Sequence, residues 1–168
     1  MRVRNLQLQD AEYMLEWMHD ESVVKYLSAN FAAKTIEDCE KFIRDSENSC
    51  SDLNLAIADE NDVYMGTVSL KHIDRISQMA EFAITIRKEA MGQGFAVYGM
   101  KEILRIGFEK LHLKQIVWCV SNDNERAKRF YAKNGFVRLN CIPKLCQNHY
   151  SKQQLENLIW YGVQQENE

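Results

Sequence analysis

A glycine-bearing loop is the first stretch of this sequence whose residue types indicate chemistry. Residues 91–96 read M-G-Q-G-F-A, and they follow residues 80–86, whose β-branched and aromatic side chains favour a strand. From Phe95 onward, apolar residues recur at helical spacing: Val97, Met100, Leu104, Phe108 and Leu111. The first backbone N–H groups of a helix lack intrahelical partners and lie at the positive end of its dipole. The loop therefore predicts an anion site, and phosphate is the commonest anion bound in this way.

The familiar nucleotide-binding loops do not fit this stretch. A dinucleotide fingerprint needs a third small residue where this chain has Val97. A Walker-type loop needs Lys and then Ser or Thr after its second glycine. Gly94 and Gly99 have the right spacing, but Met100 and Lys101 follow them. An ordinary nucleotide-binding protein is therefore the weaker interpretation, and it would be favoured by tighter binding of ATP or NAD than of coenzyme A.

A second stretch, residues 124–136, carries a candidate proton donor. Asn124 is suited to cap a helix, and Gly135 is suited to end it. Between them Ala127 and Tyr131 are expected to face inward, and a phenol can protonate a leaving group. Taken by itself, Tyr131 is more typical of a core residue.

Alternating strands and helices must position these two stretches. The patterns predict strands over 3–7, 53–58, 63–73, 80–86, 115–120, 136–142 and 155–163, and helices over 10–19, 23–27, 35–46, 95–111 and 124–134. Because a helix joins strand 80–86 to strand 115–120, these two strands are expected to be parallel. Ligands of open sheets bind at the carboxyl ends of such strands.

Composition limits the classes of partner. The chain has 168 residues, which fits one domain, and its net charge of −3 with no basic tail gives no case for nucleic acid. No run approaches the ~18 apolar residues of a membrane span. Five cysteines, an odd number, fit the cytoplasm better than a disulfide framework. The apolar residues around 158–161 are the predicted contact surface of a homodimer.

Together the two stretches resemble the signatures of the GNAT N-acetyltransferases. The loop resembles Q/R-x-x-G-x-G/A, with Met91 where Gln or Arg is usual, and residues 124–136 match N-x-x-A-x-x-x-Y-x-x-x-G-F at every fixed position. The resemblance runs from about residue 3 to residue 163. It implies a single N-acetyltransferase domain over residues 1–168 with an α+β (α/β) fold. The implied sheet is mixed, with about seven strands, helices on both faces and a splayed parallel strand pair.

The resemblance also implies acetyl-CoA as co-substrate, with no metal. The implied coenzyme-binding residues are Ile84, Thr85 and Ile86 for the pantetheine arm, Met91, Gly92, Gln93, Gly94, Phe95 and Ala96 for the diphosphate, and Asn124, Ala127 and Tyr131 beyond them. Cys141, Cys146 and His149 are metal-ligand types, but a fourth ligand at the usual spacing is missing.

The implied reaction is direct acetyl transfer in a ternary complex, with Tyr131 as general acid to the departing thiolate. An ammonium acceptor with a pKa near ~10 must first lose a proton. Glu81 is the candidate base, because its carboxylate shares one strand face with the small residues Ala83 and Thr85. A solvent-facing or structurally paired glutamate is the alternative.

The predicted acceptor is a primary amine, either a small molecule (amino sugar or polyamine) or a protein N-terminus. Acidic residues gather early in the chain: Asp10, Glu12, Glu16, Asp20, Glu21, Glu37, Asp38 and Glu40. They would suit a polyamine, although solvated helix faces explain them as well. A non-catalytic acyl-CoA-binding module with the same fold is the rival hypothesis, and transfer to amines discriminates between the two.

Overall fold

A six-stranded sheet lies at the centre of the computed structural model, which describes residues 1–165. Its strands follow chain order: β1 (Arg2–Asn5), β2 (Leu53–Ala58), β3 (Tyr64–Asp74), β4 (Met79–Ile86), β5 (Gln115–Ser121) and β6 (Leu158–Gln164). Each strand is antiparallel to its neighbour, except that β4 and β5 are parallel. The predicted parallel pair is therefore confirmed.

Helices cover both faces of the sheet, as predicted. They are α1 (Ala11–Met18), α2 (Glu21–Val24), α3 (Ile36–Glu47), α4 (Phe95–Arg105), α5 (Glu125–Lys133) and α6 (Lys152–Glu156), and a π-helical turn, Ile106–Lys110, extends α4. On one face, α4 packs on a core that includes Val68 and Leu70, and Ile103 of α4 is fully buried there. On the other face, α1 and α3 enclose a second core around Met14 and Ile43. Within the described residues, no helix combines the length and apolarity needed to cross a membrane.

Local capping residues set where the helices begin. Thr35 and Asp38 form the capping box expected at the start of α3: each side chain accepts a hydrogen bond from the backbone N–H of the other residue. At α5 the Asn124 side chain accepts a hydrogen bond from the Ala127 N–H at 3.0 Å. These caps fix the entry of each helix and therefore the direction in which its inner face points.

The parallel strands β4 and β5 separate after three residue pairs. They are in register from Met79↔Gln115 to Glu81↔Val117. Beyond Glu81, β4 stays with β3 as far as Ile86, whereas β5 stays with β6 as far as Ser121. A wedge-shaped gap opens between them, so the splayed pair that the family resemblance implied is present.

The seventh predicted strand is wrong for the described residues. Residues 136–142 make only an isolated bridge, Arg138↔Tyr161, and a Leu139 N–H to Trp160 O bond of 2.7 Å. The partly buried side chains in this segment are Phe136, Leu139 and Ile142, three residues apart. That spacing does not fit a pleated strand, in which inward residues recur every two.

The last strand also begins later than predicted. Residues 152–156 form α6 instead, because Ser151 and Gln154 make a capping box at its start. Strand β6 then runs from Leu158, beside β5 at the edge of the sheet.

Candidate active site

The gap between β4 and β5 is a cleft of about 1030 Å³. Its wall collects candidate residues that are far apart in the sequence: Glu81, Ile84, Thr85, Asn124, Ala127 and Tyr131. Ile86 does not line the cleft, because its side chain is buried in the core under α4. Among the described residues, β4 has no strand partner on the cleft side beyond Glu81, so this edge of β4 presents main-chain donors and acceptors to the cleft.

The glycine loop has the backbone conformation that an anion site requires. Gly92 and Gly94 have φ values of +79° and +88°, the left-handed region that glycine adopts without strain. Gly94 is the N-cap of α4, and its carbonyl accepts the Tyr98 N–H at 3.0 Å. The loop follows the carboxyl end of β4, but within residues 1–165 it is not part of the cleft wall.

Four of the six loop amides are unused. The Met91 and Gln93 N–H groups donate to the carbonyls of Lys88 and Ala90, at 3.2 and 3.4 Å. The N–H groups without an acceptor in the described part of the chain are those of Gly92, Gly94, Phe95 and Ala96. These amides lie at the positive end of α4, where an anion is stabilised.

Tyr131 stands in the cleft wall within an aromatic cluster. It is 6 % exposed, and its ring centroid lies 5.4 Å from that of Trp118 and 5.0 Å from that of Tyr161. In the described chain its hydroxyl has no hydrogen-bond partner, and the tyrosine lines the cleft. Burial, with smaller contributions from Cys119 and Tyr161, raises the pKa of Tyr131 well above its ordinary value. The phenol therefore holds its proton at neutral pH.

Glu81 lies in the same wall and is only 1 % exposed. Its carboxylate accepts a hydrogen bond from the Tyr150 hydroxyl. Lys71 Nζ and His72 Nε2 lie 3.5 and 3.7 Å from its two oxygens. The solvent-facing alternative is therefore wrong: Glu81 is a buried, paired carboxylate at the edge of the cleft.

Tyr150 is the cleft residue that the sequence did not reveal. It comes just before α6, and it contacts a glutamate 69 positions away, which no local pattern indicates. Cys119 lies beside this pair, its Sγ 3.5 Å from Tyr150 Oη and 4.0 Å from Glu81 Oε1. Burial raises the pKa of Cys119 to about 11, so this cysteine is a neutral thiol rather than a nucleophile.

The three residues of metal-ligand type are not brought together as a metal site. Cys141 is exposed, Cys146 is buried with its Sγ 3.8 Å from Glu81 Oε2, and the His149 ring stacks on His72 at 3.6 Å. In residues 1–165 no three His, Cys, Asp or Glu side chains are placed to hold a metal ion.

Four of the eight early acidic residues hold or cap elements of the fold, and a fifth, Glu40, forms an exposed pair with Arg44 at 3.2 Å. Asp10 pairs with Arg4 at 2.7 Å, and Glu16 pairs with Arg87 at 2.9 Å. The other two cap helices: Asp20 at α2 and Asp38 at α3. These four carboxylates have structural roles, which weakens the argument from them for a polyamine.

Comparison with known proteins shows the family to which this chain belongs. A family model described as an acetyltransferase (GNAT) domain matches residues 1–137. A putative ribosomal N-acetyltransferase, YdaF of Bacillus subtilis, is 28% identical over 72 residues, which are 43% of this chain and 39% of that protein. The spermidine N(1)-acetyltransferase of Vibrio cholerae is 28% identical over 104 residues, which are 62% of this chain and 60% of that protein. The chain thus spans less than two thirds of either relative.

A solved structure agrees with the fold over almost the whole chain. The crystal structure of spermidine N-acetyltransferase from Vibrio cholerae in complex with CoA and spermine superposes with a TM-score of 0.80. The superposition covers 98% of this chain and 95% of that one at 21% identity. At this identity the likeness establishes the fold.

Proposed function

Because the chain belongs to the GNAT acetyltransferase family, we propose that it transfers the acetyl group of acetyl-CoA to a primary amine. The observation that carries this proposal is the cleft between β4 and β5, which has the Tyr131 phenol in its wall. The free amides at the start of α4 come after β4 in the chain. The spermidine N(1)-acetyltransferase among the relatives supports a polyamine as acceptor, and the putative ribosomal N-acetyltransferase supports an amine of a ribosomal component. An amino sugar and the N-terminal amine of a protein are the further acceptors that we propose to test.

The free backbone groups fit the two ends of coenzyme A. The unused amides of residues 92–96 suit the diphosphate, because they need an acceptor and lie at the start of a helix. The cleft-side edge of β4 at Ile84 and Thr85 suits the amide groups of the pantetheine arm, which pair with it as a neighbouring strand would. Asn124 and Ala127 line the cleft at the start of α5, opposite that edge.

Tyr131 and Glu81 divide the proton transfers between them in this proposal. Glu81 takes the proton that the acceptor ammonium must lose, and the freed nitrogen attacks the thioester carbonyl. A carbon–nitrogen bond forms, the carbon–sulfur bond breaks, and the departing thiolate takes the phenolic proton of Tyr131. The second proton of the nitrogen, which the product amide does not keep, restores the phenol. The raised pKa of Tyr131 keeps that proton in place until it is needed, while Tyr150 holds the Glu81 carboxylate in position.

Compartment and assembly are also proposals. Five free cysteines, with Cys50 and Cys141 exposed, support a reducing compartment, for which we propose the cytoplasm. Strand β6 is the last strand of the described sheet, and residues 138 and 139 cover its outer edge only at Tyr161 and Trp160. We propose a homodimer that pairs through the rest of that edge. Gel filtration with light scattering would test the second proposal, and a monomeric mass would refute it.

Thiol release from acetyl-CoA tests the proposed activity. The purified chain is incubated with acetyl-CoA and a panel of polyamines, amino sugars and N-terminal peptides, and acetylated products are identified by mass spectrometry. Amine-dependent thiol release is the expected result. Binding of coenzyme A by calorimetry without transfer to any amine would instead support the non-catalytic acyl-CoA-binding module.

A further inference from the structure

A second cavity of about 270 Å³ adjoins the cleft on the side of α1 and α3. Its apolar lining comes from Met14, Trp17, Met18, Phe31, Cys39 and Phe42. It shares wall residues with the cleft: Phe31, Lys71, Ala83, Ile84 and Thr85. The unpaired part of β4 is therefore a wall common to the proposed coenzyme site and to a mainly apolar chamber.

Three polar side chains of this chamber, those of Asn54, Thr67 and Ser69, are already engaged with each other or with the fold. Thr67 Oγ1 lies 2.6 Å from the Tyr64 hydroxyl. Asn54 accepts a hydrogen bond from Ser69 at 2.6 Å and donates one to Ser46 at 3.2 Å. An acceptor rich in hydroxyl groups would find few free partners here, and each unpaired group buried there would carry a desolvation cost.

The charges around the chamber do not favour a polycation. Two lysines, Lys34 and Lys71, line it against one carboxylate, Asp38. The Asp38 carboxylate accepts the Thr35 N–H at 3.0 Å in the capping box of α3. Lys71 is paired with Glu81 at 3.5 Å, so the lining carries no excess of negative charge, and a second ammonium on the acceptor would leave water for a mainly apolar space.

We infer that the acceptor is a primary amine carried on an apolar body, which lies in this chamber with its nitrogen directed into the cleft. This inference rests on the proposed acetyl transfer and narrows its substrate class. Burial of a body the size of a leucine or phenylalanine side chain improves kcat/KM by about 10- to 100-fold over an amine without one. Two kinds of molecule present a primary amine on an apolar body: a free alkyl- or arylalkylamine, and a peptide with an apolar first residue.

The first test compares acceptors at a fixed acetyl-CoA concentration. Thiol release is measured with 2-phenylethylamine, isopentylamine, a tetrapeptide that begins with leucine, a tetrapeptide that begins with aspartate, spermidine and glucosamine. We expect the apolar acceptors to exceed spermidine and glucosamine by at least tenfold in kcat/KM, and the free amines and the leucine peptide distinguish the two sources. A kcat/KM for spermidine or glucosamine that equals or exceeds theirs would overturn the inference while leaving the proposed function intact.

Variants of Phe42 provide the second test. Phe42 lines the chamber but is 39 % exposed, so the fold tolerates its replacement. Phe42→Ala should raise KM for the apolar acceptor by about tenfold. Phe42→Glu should reduce the ratio of kcat/KM for the apolar acceptor to kcat/KM for spermidine. Neither variant should change KM for acetyl-CoA. Ile76→Ala is the matched control, because Ile76 is 97 % exposed and lies outside both cavities. Equal apolar-acceptor KM values for Phe42→Ala and the control would contradict the inference.

Calorimetry separates this inference from the proposed function. 2-Phenylethylamine is titrated into the protein saturated with coenzyme A, where no transfer occurs. Binding that is weakened in Phe42→Ala supports the chamber as the amine site whether or not transfer follows. If 2-phenylethylamine does not bind but spermidine is acetylated, the inference is overturned and the proposed function stands. If no amine causes thiol release, the proposed function is overturned.

Discussion

Replacement of Tyr131 by phenylalanine should separate catalysis from folding and binding. In the described chain the Tyr131 hydroxyl makes no hydrogen bond. Its removal should therefore not cost the about 0.5–1.5 kcal/mol that such a bond contributes to stability. The ring itself stays in its aromatic cluster with Trp118 and Tyr161. A general acid contributes about 10²- to 10⁴-fold to a rate, so kcat should fall at least tenfold, which corresponds to at least about 1.4 kcal/mol in the barrier.

The assay measures kcat and the apparent affinity for acetyl-CoA with the best acceptor of the panel, together with the melting temperature. Tyr161→Phe is the matched control, since Tyr161 belongs to the same cluster but does not line the cleft. The reasoning requires a large loss of kcat in Tyr131→Phe only, with coenzyme affinity unchanged within about twofold. An unchanged kcat, or equal losses in both variants, would remove Tyr131 from the acid role.

Three further predictions follow from the loop, from Tyr150 and from the pKa of Tyr131. Gly92→Ala and Gly135→Ala should each lower the melting temperature by about 2–8 °C, because both glycines have a φ near +80° and open space around them, and the left-handed conformation costs other residues about 1–2 kcal/mol. Only Gly92→Ala should weaken coenzyme binding in calorimetry, since Gly135 ends α5 away from the loop. Tyr150→Phe should lower the free energy of unfolding by about 1.5–3 kcal/mol in urea titrations, because Glu81 loses a donor to its buried carboxylate. In a profile of kcat against pH, the raised pKa of Tyr131 keeps the acid protonated, so no decline attributable to it should appear as pH rises toward about 10, the ordinary tyrosine value.

Each of these predictions has an outcome that contradicts it. Equal coenzyme affinity in the two glycine variants would show that the loop amides do not hold the diphosphate. An unchanged unfolding energy in Tyr150→Phe would mean that the contact with Glu81 contributes nothing to stability. An alkaline decline in kcat that Tyr131→Phe abolishes would show that this phenol titrates in the ordinary range.

Features set by neighbouring residues were predictable from the sequence. The capping box of α3, the start of α4 after Gly94 and the Asn124 cap each depend on side chains within three or four positions, so their types and spacing were sufficient. The parallel pairing of β4 and β5 also followed, because a helix between two adjacent strands permits little else.

Features set by distant contacts were not predictable in the same way. The apolar residues of segment 136–142 looked like a strand, but their spacing of three lets them pack over β5 and β6 as a loop. The pairing of Glu81 with Tyr150 joins β4 to a turn near the end of the chain, and its residue types are ordinary. The environment of the candidate base therefore became visible only when the chain was folded.

The early separation of β4 from β5 would link the abundance of the protein to the supply of its proposed co-substrate. Five residues of β4 have no strand partner on one side in the described sheet. An extended ligand bound along that edge can supply the missing main-chain hydrogen bonds. A ligand that binds only the folded chain stabilises it by RT ln(1 + [L]/Kd), about 2.7 kcal/mol at a hundredfold excess over Kd. Cells rich in acetyl-CoA would then protect this protein from proteolysis, and starved cells would clear it.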